Sequence, residues 1–67
     1  MGEELRQRLL GLVSDEAYNP LKKEELAMIF DIHHTEIPMF YNMLEEMVDE
    51  GVLIKNKKGK FASPKNM

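Results

Sequence analysis

Cysteine is absent from this chain, so neither a disulfide nor a cysteine-ligated metal can hold it together. That fits an intracellular protein, and a cytoplasmic one is expected. Long apolar runs are absent too. Segments such as Val52-Leu53-Ile54 fall far short of the roughly 20 apolar residues that span a membrane, so no membrane partner is expected. The start, Met1-Gly2-Glu3-Glu4, is acidic and lacks the basic-then-apolar layout of a signal peptide. Each glycine stands alone, which excludes a Gly-rich phosphate-binding loop.

Catalytic constellations are equally missing. The only histidines, His33 and His34, are neighbours in a turn. Side chains there are expected to point in different directions, and no i, i+4 partner or Cys completes a metal site. Ser14, Thr35 and Ser63 have no base arranged beside them by the sequence. The carboxylates fall mostly on helix faces and read as solvated surface. No catalytic residue, metal or cofactor is therefore expected of this domain, and alone it is not an enzyme.

Acids are missing from one end only. Residues 51–67 hold five lysines (Lys55, Lys57, Lys58, Lys60 and Lys65) and no acid, a sum of +5. Residues 1–50 hold all twelve acids against Arg6, Arg8, Lys22 and Lys23, a sum of −8, so the formal net charge of −3 hides a division. A basic end of this kind is either a solvated edge that blocks strand-to-strand aggregation or a polyanion contact, phosphate above all.

Sixty-seven residues make one small domain or a fragment of a larger protein. At this size only roughly 60% of the unfolded surface is buried, so the core must be economical. Leu5, Leu9, Leu12 and Val13 recur at helical spacing and predict a first helix from Glu3 to about Asp15. Leu10 flanks that stripe. Pro20 disfavours helix at Asn19 and breaks the pattern, leaving Tyr18 to Leu21 as a short extended connection. A second helix is predicted over Lys22–Phe30, with Leu26, Ala27, Ile29 and Phe30 on its apolar side. Asp31 to His34 form a turn, and Thr35 is the expected cap of a third helix, with Pro38 tolerated in its first turn.

Ile37, Phe40, Tyr41, Leu44, Met47 and Val48 give that third helix, Glu36–Glu50, a strong buried stripe. Gly51 suits the left-handed position that ends many helices. Val52-Leu53-Ile54 then reads as a strand, Asn56-Lys57-Lys58-Gly59 as a hairpin turn with glycine at positive φ, and Lys60-Phe61 as the returning strand. The predicted fold is α+β and mainly α: a winged helix-turn-helix in which three helices precede a two-stranded hairpin wing. Residues 1–67 form one such domain. Met67 follows Pro64 closely with no closing element, so the expectation is a fragment with more polypeptide beyond it.

In a helix-turn-helix the second helix of the pair reads base edges. Opposite its buried stripe this one offers Glu36, Pro38, Met39, Asn42, Met43, Glu45, Glu46, Asp49 and Glu50, with no Arg or Lys. Base readout leans on Arg, Lys, Asn or Gln and on phosphate neutralisation, so a DNA-binding transcriptional regulator is the disfavoured alternative. The wing is the better nucleic-acid candidate. Lys55, Lys57, Lys58 and Lys60 sit on or beside its turn, and Lys22 and Lys23 could extend the patch. Four phosphate contacts imply a log–log salt slope of about −3, hence weak and sequence-independent binding. Met39 and Met43, one turn apart on the outward side of the third helix, are the candidates for docking another domain or protein.

Tyr18-Asn19-Pro20-Leu21, Glu24-Glu25-Leu26-Ala27, Phe30-Asp31-Ile32, the run from Leu44 to Lys55, and Lys58-Gly59-Lys60-Phe61 together resemble the N-terminal winged-helix domain of bacterial ribonuclease R. The likeness covers about residues 5–64. It implies a parent enzyme that is a processive, magnesium-dependent hydrolytic exoribonuclease acting from the RNA 3′ end. In that family the catalytic carboxylates lie in a central nuclease domain flanked by cold-shock and S1-type domains, so no catalytic residue carries over to this chain. The resemblance implies an accessory domain that helps engage or unwind structured RNA, with RNA and the parent enzyme's other domains as partners. Lys57, Lys58 and Lys60 match the family's basic, glycine-containing wing and carry over as candidate RNA contacts. Lys22 departs from the Ser or Thr that commonly caps the second helix, which leaves the start of that helix open.

Overall fold

The computed structural model describes residues 2–66. Three helices, α1 (Glu3–Ser14), α2 (Lys23–Ile29) and α3 (Ile37–Asp49), combine with three short strands, β1 (Leu21–Lys22), β2 (Ile54–Lys55) and β3 (Lys60–Ala62). One antiparallel sheet runs in the order β1-β3-β2. The protein is therefore mainly helical and α+β, as its periodicity predicts. The two-stranded hairpin expected from the sequence is, however, a three-stranded sheet.

The added strand has an identifiable cause. Asp15 ends α1 in extended backbone, and its carboxylate accepts the Ala17 N–H at 2.8 Å, an Asx-type turn that redirects the chain. Pro20 then keeps the backbone out of helix. The Tyr18 hydroxyl donates to the Phe61 carbonyl at 2.7 Å and accepts the Leu21 N–H at 3.1 Å. One side chain thus clips β1 to β3, with Leu21 opposite Phe61 and Lys22 opposite Lys60.

Partial burial raises the Tyr18 pKa above its ordinary value; the Leu21 hydrogen bond opposes this, and nearby Glu25 adds to it. A raised phenol pKa means that the neutral form is favoured on folding, so its share of stability is present below about pH 10 and is lost as pH rises through the folded value. Tyr18→Phe is expected to cost about 1–2 kcal/mol at neutral pH, because it leaves two backbone groups short of a partner. It should also flatten the alkaline fall in stability, which urea titrations at neutral pH and above about pH 10 would read.

Helix α2 begins at Lys23, one residue later than predicted, because Lys22 belongs to β1. Lys22 occupies the N-cap position in extended backbone. Its side chain carries donors only, so it cannot cap the helix amides. Instead the Glu25 carboxylate reaches back to the Lys22 N–H at 2.9 Å. The helix closes through Asp31, at φ 52°: Asp31 N–H bonds to Met28 O and Ile32 N–H to Ala27 O, the pair of reversed bonds of a Schellman motif built without glycine. Leu26 and Ala27 are buried as expected, but Ile29 is 54% exposed. Positions 26, 27 and 30 already fill the inward arc of so short a helix, and residue 29 falls outside it.

Thr35 does not cap α3. A 3₁₀ turn, His34–Glu36, precedes that helix, and its cap is His33, whose Nδ1 accepts the Thr35 N–H at 3.2 Å. Pro38 sits in the first turn of α3, where missing amide partners make it harmless. Phe40, Leu44 and Met47 are fully buried. At the far end Gly51 takes φ 82°, with Gly51 N–H on Val48 O and Val52 N–H on Met47 O, a second Schellman motif. A Cβ at Gly51 would meet nothing within 4 Å. Gly51→Ala should therefore cost only the left-handed backbone penalty, about 1–2 kcal/mol, in chemical denaturation.

The core gathers Leu9 and Val13 from α1, Leu26 and Ala27 from α2, the three α3 residues, Leu53, and Phe61 from β3. Arg6 reaches Glu50 across the surface, tying α1 to the end of α3. After β3, Pro64–Asn66 form a further 3₁₀ turn where the sequence suggested no element. Met67, read as pointing to more polypeptide, lies outside the described residues.

Candidate nucleic-acid interface

The hairpin turn is held by Asn56. Its backbone N–H donates to Lys60 O at 2.9 Å, and its backbone O accepts the Gly59 N–H at 3.0 Å. Its side-chain Oδ1 accepts the N–H groups of Lys58 at 2.9 Å and Lys60 at 3.0 Å. Gly59 takes φ 80°, the left-handed position that a three-residue hairpin loop requires. The turn is thus stiff at its base, while Lys57 and Lys58 stand exposed at its tip and Lys60 is half-buried beside it.

Between this turn and the Asn19–Pro20 ridge lies a surface groove lined by Asn19, Pro20, Asn56, Lys57, Lys58 and Lys60. Among the described residues no carboxylate lines it. Lys22 adjoins it through the register, since it stands opposite Lys60 on the neighbouring strand. Asn19 and Pro20 are contributors that sequence reasoning treated only as a connection. Their place beside the hairpin turn depends on the β1–β3 pairing, which no local pattern encodes.

The remaining candidate lysines go elsewhere. Lys55 Nζ bonds to the Glu45 carboxylate of α3 at 2.9 Å and lies 6.0 Å from the Phe61 ring centre. Lys23 Nζ lies 4.6 Å over the Tyr41 ring, a cation–π contact on the α2–α3 side. The structure thus brings Lys22, Lys57, Lys58 and Lys60 together and engages Lys23 and Lys55 with α3.

The outward face of α3 is as acidic as its sequence reads. Glu36, Glu45, Glu46, Asp49 and Glu50 are all exposed, as is Asn42. The two docking candidates differ: Met39 is 55% exposed, whereas Met43 is half-buried and packs on the core. Among the described residues the most exposed large apolar side chain is Met28 of α2, at 80%; it lies outside the apolar side predicted for that helix.

His33 and His34 do not diverge as expected. Their rings lie 4.3 Å apart at 34°, because His33 is held by Thr35 through both its N–H and its hydroxyl. Among the described residues no group of three His, Cys, Asp or Glu side chains could hold a metal ion. No helix among them is long and apolar enough to cross a membrane. No known protein family matches the chain, and no curated protein matches it.

Proposed function

We propose that this chain is a winged helix-turn-helix domain of the kind that opens bacterial ribonuclease R, and that it contacts RNA phosphate through its wing. The element order supports the fold reading: helix, strand, helix, helix, strand, strand, with the first strand joined to the hairpin at β3. The observation that carries the function is the groove with three lysines and no carboxylate among its lining residues. Lysines act there as point charges on a sugar–phosphate backbone and carry no base code. Helix α3 offers no cation for base readout, so binding is sequence-independent. Hydrolysis, with its magnesium, belongs to the nuclease domain of such an enzyme; this domain contributes affinity for structured RNA.

Fluorescence anisotropy with labelled single-stranded RNA, duplex RNA and duplex DNA tests this. About four phosphate contacts give a Kd of roughly 10–100 μM for RNA at about 20 mM salt, weakening roughly 50-fold when salt rises fourfold. Absence of RNA binding at the lower salt overturns the reading, and so does affinity indifferent to salt. Tight duplex DNA binding with sequence preference would instead favour a regulator.

The exposure of Met39 supports one second reading, docking of α3 onto another domain of the parent protein. Met39→Ser with Met43→Ser should then weaken that docking and leave RNA affinity unchanged.

A further inference from the structure

We infer that the bound strand runs on the β1 side of the wing, over the Lys22–Lys60 pair and through the groove beside Asn19–Pro20, and not across α3. The inference rests on the phosphate-contact reading and specifies its path: the backbone of one strand, held between two walls.

Lys22 and Lys60 are direct cross-strand partners, a placement that brings Cβ atoms to roughly 5 Å and is destabilising for like charges. Lysine on an edge strand can be explained as protection against unwanted strand pairing, and β1 is an edge. But β3 is the central strand, so Lys60 has no edge to protect. A phosphate between the two ammonium groups turns that repulsion into attraction.

Asn56 stands across the same turn from Lys60, directly after β2. Its Oδ1 is used by the backbone, which leaves its amide N–H groups as donors. The opposite side of the wing is less favourable for an anion. There Lys55 is paired with Glu45, and α3 carries further exposed acids. The route that a base-reading helix-turn-helix takes, with its second helix in the groove of a duplex, is the electrostatically unfavourable one here.

Salt-dependent binding of an oligouridylate to the full chain tests the path. With Lys22, Lys57, Lys58 and Lys60 engaged, the log–log slope on a single strand is about −2.8. Lys22→Gln should lower it to about −2.1 and weaken binding roughly 15-fold at about 20 mM salt. Lys23→Gln should leave slope and affinity unchanged. So should the charge-conserving double change Lys55→Gln with Glu45→Gln, which removes the ion pair without altering net charge. An unchanged slope for Lys22→Gln, or an equal loss from Lys23→Gln or the double change, overturns the path while the wing reading stands. If the native chain does not bind the oligonucleotide at all, the wing reading itself fails and the path fails with it.

Discussion

Phe61→Ala is expected to cost about 3–5 kcal/mol, enough to remove most of the stability of so small a domain. Phe61 is 1% exposed and lies on the central strand, opposite Leu21 on one side and Lys55 on the other. Truncation removes a ring that the helices and the sheet share, and the short strands around it have little else to collapse onto. Its carbonyl also takes the Tyr18 hydroxyl, so loosening of β3 loosens β1 as well. Leu44→Ala, at a fully buried position in mid-α3, should cost about 2–5 kcal/mol. Small domains have total stabilities of about 5 kcal/mol, so Phe61→Leu, expected to lose about 1 kcal/mol, supplies a variant that remains folded. Urea denaturation followed by circular dichroism reads all three. A loss under about 1 kcal/mol for both alanine variants contradicts the core described here.

Charge reversal at the turn has the largest expected effect on binding. Lys57→Glu with Lys58→Glu removes two of the proposed phosphate contacts, each expected to contribute roughly a decade at about 20 mM salt, and puts two negative charges in their place. RNA affinity should fall by about 100-fold or more. Both residues are exposed, and the turn is held by Asn56 and Gly59 rather than by the lysine side chains. The fold should therefore survive, and an unchanged melting curve alongside lost binding is the expected pair of results. Unchanged RNA affinity in the folded variant removes the hairpin turn from the proposed interface.

Much of this fold is legible in the chain because its signals are local. The 3.6-residue stripe of α3, the glycine that ends it and the Asn56–Gly59 turn each lie within a dozen residues, and each appears where the pattern puts it. What stays hidden depends on distant partners. Tyr18 reads as an apolar residue flanking a proline, yet its hydroxyl sets the register between β1 and β3. Thr35 is a good cap by composition, and His33 displaces it because a 3₁₀ turn delays the helix start.

The candidate site divides in the same way. The basic turn is visible as a run of lysines without acids. Which lysines are free to act is not, because the Glu45 partner of Lys55 and the Tyr41 partner of Lys23 come from another helix. Likewise only the strand register brings Lys22 to Lys60. Exposure of Met28 and Ile29 is hidden in the sequence because five consecutive apolar residues, Leu26 to Phe30, run through the end of α2 and its C-cap, more than one helix face can bury.

On the proposed reading, phosphate is met at the Asn56–Lys60 hairpin turn and not at α3. An amide-shift NMR titration of the chain with single-stranded RNA, at low and moderate salt, measures this most directly. Shifts are expected at the amides of Asn19, Leu21, Lys22 and Lys57–Lys60, and they should shrink as salt rises. Shifts centred on His33–Asn42, or on the exposed acids of α3, would contradict it.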